Sequence, residues 1–497
     1  MGVGSSALAQ AIAAVQAIVL VPFFLRAWGA DGYGRWLALS ALASQLSLLD
    51  LGGQNFTANL LAMHHARGDT AAFRKTFSEA VSLFAFIGVG VFITFVLLLL
   101  GFLRFPLPGL GRPLETWEAW VLGLLGANLL ILSIPGGVYV TAYRASGLFA
   151  RGAMVGNMVR GLSIGVSVGL LSRSVRPEIY AAGMLGMGAL LTAVIVWDMR
   201  RCIPGCRGLR MSIAETRKGW DYLGGAIYFW LIAVAQAARQ QGVLLVLAAV
   251  ASPAVVALYA THRTLANIPN YAGVLLQGPL LPELSFLWAQ KHLSDLCRAT
   301  FMAIKTVILV TGVLAIFLWL CVPLIYPVWT GRHLQVQPLL LGLLLIQGVL
   351  AAGWATSSWG LLAVNHHRPL AFWSLGNAAV TIGLAVWLGQ VFGAVGVALA
   401  GLTGDFICGF AVFPILASFF LSVSASRMYT QIGSAALAVL PLAGVALLLS
   451  RVLNGWWAVW TFLLFGTALA YPIFCVAVGR SEARRFVRYR SSWVSGG

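Results

Sequence analysis

The sequence predicts an all-α polytopic membrane protein with about 14 transmembrane helices. We expect two pseudo-symmetric six-helix lobes around a central cavity, followed by two C-terminal helices. Three observations support this fold class. The 497-residue chain is 60% hydrophobic and only 9% charged, with a mean hydropathy of +0.90, which lies far outside the range of soluble domains. Apolar runs long enough to cross a bilayer recur along its length. Finally, two long stretches of the chain share the same order of features.

The repeat links a stretch that begins at Tyr33 with one that begins at Tyr259. Each copy starts with a tyrosine at a helix start, continues through a long apolar segment and ends in a short charged turn. Further along, each copy carries a Gly-Asn pair inside a helix, Gly156-Asn157 and Gly376-Asn377. Repeated units related by an axis are a common plan of secondary transporters. The repeat therefore favours a transporter, and chance similarity among apolar helices is the alternative.

The apolar runs set the boundaries of helices and domains. They place helices near residues 7–28, 34–62, 78–103, 117–143, 151–171, 179–199, 220–250, 254–282, 300–325, 337–364, 370–390, 393–420, 432–450 and 456–479. The corresponding domains are an N-terminal lobe (1–200), a cytoplasmic linker (201–219), a C-terminal lobe (220–425), an extra helix pair (426–479) and a basic tail (480–497).

The charge distribution predicts the orientation in the membrane. An even number of helices puts both termini on one side, and most of the 32 Lys and Arg residues fall in the loops and tail of that side. Positive residues favour the cytoplasmic side, so we expect both termini in the cytoplasm. Basic residues next to an anionic leaflet also account for most of the net charge of +18, without any nucleic-acid partner.

Polar residues deep in the seventh and eighth segments are the first candidate site residues. A charge near the bilayer centre normally faces a cavity or a partner. Arg239 is followed by Gln240 in a run that contains three glutamines, which is a polar patch rather than a lipid face. His262 and Arg263 lie in the eighth segment, with Asn267 one helical turn beyond Arg263. We expect Arg239 and Arg263 to face a substrate cavity.

The second segment carries a further polar group. Asp50 lies deep in this segment and is followed by Gln54 and Asn55. In a continuous helix Asp50 and Gln54, four residues apart, would share one face. Asp50 has two open interpretations: it lines the cavity and couples transport to an ion, or it is a structural partner of a buried arginine such as Arg263.

The remaining charges inside apolar segments leave more alternatives. Arg26 closes the first segment and Lys305 is early in the ninth; both either face the cavity or snorkel to the membrane surface. Arg160 in the fifth segment also lies near enough to an interface to snorkel. Asp405 in the twelfth segment follows two glycines, so it is either a packing-site acid or a second ion-coupling group.

The candidate residues indicate the chemistry of the cargo. Planar guanidinium groups bind phosphate or carboxylate oxygens in pairs. The first, second, seventh and eighth segments are equivalent pairs in the two halves, and together they would line one central path. A cationic path of this kind suits an amphiphilic anion. No cofactor is expected: the chain lacks phosphate-binding and dinucleotide motifs, and the Cys202/Cys206 pair has no histidine beside it.

At this point a family resemblance becomes clear. The segments at residues 22–36, which include Trp28-Gly29-Ala30-Asp31-Gly32-Tyr33-Gly34, and at 48–52 resemble the opening of Wzx-type polysaccharide flippases. These belong to the MATE-like multidrug/oligosaccharidyl-lipid/polysaccharide exporter superfamily. The segments at 258–260, 279–285 and 393–398 resemble the second lobe of that superfamily. The resemblance extends over most of the chain, to about residue 425.

The resemblance implies a function. A protein of this type would move an undecaprenyl-diphosphate-linked oligosaccharide from the cytoplasmic to the periplasmic leaflet by alternating access, for O-antigen or exopolysaccharide synthesis. Its partners would be this lipid-linked glycan, membrane lipids and the polysaccharide polymerase or ligase machinery. One departure is that such proteins often carry an acid near the position of Gln240-Gln241. In the lipid II flippase branch, an extra helix pair adds a groove for the lipid tail.

Two other functions remain open. A cation-coupled drug or small-solute antiporter of the same fold would need buried acids, and Asp50 and Asp405 are the candidates. A membrane enzyme that acts on the same lipids would need a sizeable periplasmic loop for its catalytic groups. The predicted loops are too short for this, so we expect a transporter rather than an enzyme.

Overall fold

The computed structural model describes residues 2–105, 113–206, 227–277, 284, 287–288, 290, 292–363, 367–420, 423–453 and 455–466. All regular secondary structure in these ranges is helical. Ten helices within them are long and apolar enough to cross a membrane. The predicted fold class, an all-α polytopic membrane protein, is therefore confirmed.

The helices follow the predicted segments closely. In chain order they are α1 (Gly2–Ser44), α2 (Gly53–Ala66), α3 (Thr70–Phe102), α4 (Thr116–Ala127), α5 (Ile134–Ala145), α6 (Phe149–Ser172), α7 (Pro177–Cys202), α8 (Ile227–Ala237), α9 (Val243–Val250), α10 (Pro253–Ala266), α11 (Ile268–Gln277), α12 (Leu293–Trp329), α13 (Pro338–Ala363), α14 (His367–Gly404), α15 (Phe413–Phe420), α16 (Ala425–Val452) and α17 (Trp456–Thr461). Short 3₁₀ turns occupy Gln45–Asp50 and Pro204–Cys206, and wider π-helical turns occupy Asn128–Ser133, Ala238–Gly242, Asp405–Val412 and Phe462–Gly466.

The first helix contains a sharp reversal at Gly29, which has φ +68° and ψ −175°. The ring of Phe24 lies 5.1 Å from the ring of Tyr33 and 6.1 Å from the ring of Trp36. In a straight helix, twelve residues would separate Phe24 from Trp36 by about 18 Å. The contacts therefore show two helical arms folded against each other, as the predicted segment ends at residues 28 and 34 require.

A second reversal occurs at Gly393 in α14, where φ is +55° and ψ is −130°. A Cβ atom added at Gly396 would collide with the carbonyl oxygen of Leu388, so the chain on either side of Gly393 is packed closely together. The sequence places the ends of the eleventh and twelfth segments at residues 390 and 393. Gly29 and Gly393 therefore each separate two helical arms, between the first and second and between the eleventh and twelfth predicted segments.

The second predicted segment is not the continuous helix 34–62. The α-helix ends at Ser44 and passes into the 3₁₀ turn of Gln45–Asp50, after which Leu51 (φ +51°) and Gly52 (φ +70°) are left-handed. A new helix, α2, then begins at Gly53. Adjacent glycines weaken a helix because they lose the most conformational freedom on folding, which explains why the break occurs here.

Packing divides the chain into two units. The first comprises residues 1–260 and 374–397, and the second comprises residues 261–373 and 398–497. In the first, fully buried Phe77, Phe84 and Leu130 belong to one core with Tyr143. In the second, one core surrounds Ile304, and another contains Leu320 with Leu442 and Phe462. The predicted lobes, 1–200 and 220–425, and the helix pair at 426–479 stay predictions. The tail at 480–497 lies outside the described residues, and so does the linker beyond residue 206.

The reversal at Gly29 gives a testable prediction. Its φ and ψ lie in a region that only glycine adopts readily, so Gly29→Ala should lower the free energy of unfolding by about 1–3 kcal/mol. A Cβ at Gly29 would meet nothing within 4 Å, so the loss comes from backbone strain and not from a clash. Chemical denaturation of the purified protein in detergent measures the change.

Gly90→Ala is the matched control, because a Cβ there also meets nothing within 4 Å while the residue is helical. It should raise stability by roughly 0.5–1 kcal/mol. If both substitutions change the free energy of unfolding equally, the backbone at Gly29 is not strained for other residues.

Candidate functional site

The break between α1 and α2 positions the first candidate acid. Asp50 is half-buried, and its Oδ1 accepts a hydrogen bond from the backbone N–H of Gly52 at 3.0 Å. Because Leu51 and Gly52 are left-handed, Asp50 and Gln54 do not share a helix face, and that part of the sequence prediction is wrong. Gln54 instead uses Nε2 to donate to the carbonyl of Ile134 at 3.2 Å. Asn55 follows Gln54 in α2.

A tryptophan from the seventh predicted segment donates a hydrogen bond to the backbone at this break. The indole Nε1 of Trp230 donates to the carbonyl of Leu48 at 2.7 Å. This carbonyl lies in the 3₁₀ turn, and it also accepts a hydrogen bond from the backbone N–H of Leu51. Nothing in the sequence links Trp230 to Leu48, which lies 182 positions earlier. The contact fastens α8 to the interrupted helix that holds Asp50.

Arg239 and Gln240 lie in the π-helical turn that follows α8. Arg239 is half-buried and Gln240 is exposed. A π turn widens the helix by one residue, and such turns occur frequently at functional sites. Gly242 ends the turn, and a Cβ there would press on Ile382. The polar patch predicted around Arg239 therefore coincides with an irregularity of the helix.

The other cationic candidates differ in exposure. Arg26 is exposed and lies one turn before the reversal at Gly29, and Arg160 is exposed in α6. Lys305 is half-buried in α12. Exposure of Arg26 is compatible with both snorkelling and a cavity role. Contact of Arg26 and Lys305 with the substrate stays a prediction.

His262 lies in the second unit, at the centre of a buried polar cluster. Its side chain is fully buried; Nδ1 is 3.2 Å from the hydroxyl of Tyr326, and Nε2 accepts from the backbone N–H of Gln337 at 3.0 Å. The hydroxyl of Tyr326 is also 2.8 Å from that of Thr261. The cluster ties α10 to the end of α12 and to the start of α13.

These contacts fix the tautomer of His262. A backbone N–H can only donate, so Nε2 must carry a lone pair and the proton of the neutral ring must be on Nδ1. Nδ1–H then donates to the hydroxyl of Tyr326, which also shares a hydrogen bond with the hydroxyl of Thr261. Both ring nitrogens are engaged while these contacts hold. The role of His262 as a substrate ligand stays a prediction.

Arg263 and Asn267 mark the junction of α10 and α11. Arg263 is half-buried, and its carbonyl accepts from the backbone N–H of Asn267 at 2.9 Å. The carbonyl of Asn267 accepts in turn from the N–H of Tyr271 at 3.1 Å. One turn into α11, the buried Oδ1 of Asn270 has no hydrogen-bond partner among the described residues. Polar groups are therefore concentrated on this part of the chain, as its sequence predicts.

Asp405 is the most deeply buried acid among the candidates, with 1% of its surface exposed. Its Oδ2 accepts from Nε2 of Gln347 at 2.9 Å, and its Oδ1 accepts from Nε1 of Trp354 at 3.1 Å. Gln347 and Trp354 are two turns apart on one face of α13. Sequence reasoning misses both, although their seven-residue spacing is the one available signal. Asp405 also begins the π-helical turn Asp405–Val412.

Cys202 and Cys206 lie in the last turn of α7 and in the short 3₁₀ turn that follows it. No group of three or more His, Cys, Asp and Glu residues that could hold a metal occurs in the part of the chain that the structure describes. Both cysteines are free thiols. Burial raises the pKa of Cys206 to about 12, which disfavours the thiolate that binds metals.

The His262 cluster yields a stability prediction. His262→Phe should lower the free energy of unfolding by about 1–3 kcal/mol, because it leaves the backbone N–H of Gln337 without its acceptor. Denaturation in detergent measures the change. His333→Phe is the control, since His333 is exposed in the nearby loop and should change stability by less than about 0.5 kcal/mol. If His262→Phe leaves the free energy of unfolding unchanged, His262 does not act as a buried acceptor.

Comparisons with known proteins identify the fold. No family model and no curated protein matches the sequence. Among solved structures, the lipid II flippase MurJ in an inward closed conformation matches with a TM-score of 0.70 at 12% identity, covering 97% of this chain and 98% of that one. An inward-facing multidrug resistance MATE family transporter of the MOP superfamily matches with a TM-score of 0.66 at 14% identity, covering 84% and 94%.

A MATE transporter in the straight conformation gives a TM-score of 0.54 at 14% identity, and the match covers 85% of this chain and 94% of that one. Sequence identities this low show similarity of fold alone. The chain therefore has the polytopic helical fold that is found in the lipid II flippase and in MATE transporters of the MOP superfamily.

Proposed function

We propose that this protein flips an undecaprenyl-diphosphate-linked oligosaccharide from the cytoplasmic to the periplasmic leaflet of a bacterial inner membrane. The product would serve O-antigen or exopolysaccharide synthesis. The observation that carries the proposal is the agreement in fold with a lipid II flippase along nearly the whole length of both chains. That neighbour is named for a lipid cargo, and the candidate residues of this chain suit a lipid that carries a diphosphate.

The charges of the spans support an anionic cargo. Half-buried Arg239 and Arg263 offer planar donor pairs that match diphosphate oxygens. Arg239 lies in a π-helical turn, and Arg263 lies one turn before the junction at Asn267. Arg239 thus lies at an irregular turn of a membrane-span candidate, whereas Arg263 lies in a regular helix close to its end. In the proposal both guanidinium groups bind the diphosphate. The further substrate-binding residues of the proposal are Asp50, Gln54, Asn55, Gln240, His262, Asn267, Arg26 and Lys305.

The C-terminal helix pair also favours a lipid cargo. The match to the lipid II flippase covers 97% of this chain, whereas the match to the MATE transporter covers 84%. The difference is close to the share of the chain that follows residue 425. An extra helix pair offers additional apolar surface, and a polyprenyl tail needs such surface during transfer.

Alternating access is the proposed mechanism, with no nucleotide site to drive it. The cargo diphosphate binds the arginines from the cytoplasmic side, and closure on that side precedes opening to the periplasm. A cytoplasmic location of both termini follows from the distribution of basic residues. Polymerase or ligase machinery would then consume the glycan outside.

Ion coupling is the proposed energy source, and it also defines the second candidate function. Asp405 is buried among neutral donors from Gln347 and Trp354, and Asp50 lies half-buried at a helix break. Buried acids of this kind are expected in a cation-coupled drug or small-solute antiporter, which the MATE-like fold also accommodates. The two functions differ in cargo: an amphiphilic anion for the flippase and a cationic or neutral drug for the antiporter.

The central test is rescue of surface glycan in a bacterium that lacks its polysaccharide flippase. The native chain should restore the glycan, and Arg239→Ala/Arg263→Ala should lower export by at least about tenfold, because a lost charge-assisted contact costs roughly 1.5–3 kcal/mol. Surface glycan and intracellular lipid-linked glycan are measured at matched expression.

Two controls define the outcomes of this test. Arg104→Ala/Arg451→Ala removes two exposed arginines outside the proposed cavity and should export normally. Arg239→Lys/Arg263→Lys retains charge but loses the planar donor pairs, so it should be intermediate. If the native chain fails in several glycan backgrounds but confers dye efflux, the antiporter replaces the flippase.

The coupling proposal has its own test. Asp50→Asn/Asp405→Asn should slow export and remove its dependence on external pH, because an amide cannot take up a proton. Export rate is measured at a series of external pH values, with Asp31→Asn as the exposed control. Unchanged rate and unchanged pH dependence in the double variant would exclude these acids from coupling.

A further inference from the structure

A groove of about 550 Å³ opens on the surface of the first unit, beside the second half of α7. Its volume falls within the range of roughly 300–1,000 Å³ found for ligand pockets. The lining is largely apolar: Leu132 from the Asn128–Ser133 turn meets Ala189, Ala193 and Val196 of α7. None of these residues belongs to the proposed transport site.

The groove exists because α7 presents small side chains on an uncovered face. Ala189 and Ala193 are exposed one turn apart, and Trp197 follows one turn later with 56% of its surface exposed. Helix α7 also has the smallest buried share among the membrane-span candidates of the described chain, at 17%. An apolar concavity on a spanning helix is filled by hydrocarbon, because the bilayer core offers no water to fill it.

Two arginines stand at the end of the groove. Arg200 and Arg201 complete its lining, and both are exposed in the last turn of α7. The guanidinium carbon of Arg201 lies 3.9 Å from the ring centroid of Trp197, so the tryptophan orients this side chain at the groove mouth. Cations at a helix C-terminus also complement the helix dipole. The dipole alone would explain why two arginines end α7, but it would not explain the groove that leads to them.

We propose that this groove binds one anionic phospholipid, with an acyl chain along Ala189 and Ala193 and the phosphate on Arg200 and Arg201. The groove-lining side chains match this occupant in order along α7: small apolar residues, then a tryptophan, then two guanidinium groups. Basic residues near a membrane surface attract anionic lipid, and arginine pairs with phosphate through two parallel donors. By the distribution of basic residues, the lipid belongs to the cytoplasmic leaflet. A zwitterionic lipid should bind less tightly, because its cationic headgroup is repelled by the same arginines.

Native mass spectrometry of the purified full-length protein tests the site. The protein is titrated with phosphatidylglycerol or phosphatidylcholine of identical acyl chains in the same detergent. The native chain should bind one phosphatidylglycerol at least about tenfold more tightly than phosphatidylcholine. Arg200→Gln/Arg201→Gln should abolish that preference.

Two further variants separate the groove from general surface charge. Arg67→Gln/Arg74→Gln removes two exposed basic residues of the same unit that do not line the groove and should keep the preference. Ala193→Trp should fill the groove and lower binding of both lipids while leaving the arginines in place. Equal loss in the Arg67/Arg74 variant, or unchanged binding in Ala193→Trp, would overturn the proposal. The same holds if the native chain binds both lipids equally.

Discussion

The constraint on which the structure depends is that a backbone polar group inside a bilayer must find its partner within the protein. Wherever a spanning helix departs from regularity, a donor or acceptor must therefore be supplied locally. The break at residues 45–52 shows the result: the carbonyl of Leu48 receives the indole of Trp230, and the N–H of Gly52 is taken by Asp50. Polar side chains are concentrated at this break because the backbone requires them there, and a transport site can use the same polar groups.

The same reasoning applies to buried side chains. Asp405 keeps both carboxylate oxygens in hydrogen bonds from neutral donors, and His262 keeps both ring nitrogens engaged. At the end of α7, Asp198 accepts hydrogen bonds from Arg151 at 2.7 Å and from Tyr143 at 2.8 Å. This last arrangement links α5, α6 and α7 and leaves no buried charge uncompensated. Stability and function thus place similar demands on the few polar residues of the spans.

The sequence predicts the spanning segments well because length and apolarity are the signals that a bilayer imposes. The segment boundaries at residues 28 and 34 and at residues 390 and 393 also lie close to the reversals at Gly29 and Gly393. The sequence does not predict the break after Ser44, because the apolar run continues on both sides of Gly52 and Gly53 and a helical spacing of Asp50 and Gln54 fits an unbroken helix. The partnership of Trp230 with Leu48 joins residues 182 positions apart, and no local pattern carries such information. For the same reason Gln347 and Trp354 become visible as partners of Asp405 only in three dimensions.

The central claim is that the cargo is a lipid-linked anionic glycan. The most direct measurement reconstitutes the purified protein in liposomes that contain a fluorescent polyprenyl-diphosphate oligosaccharide, and follows its exposure to an external quencher. We expect the protein to speed transfer of this lipid between leaflets but not of a fluorescent phosphatidylcholine. If both probes cross at the same rate, or neither crosses faster than in protein-free liposomes under any imposed ion gradient, the account is contradicted.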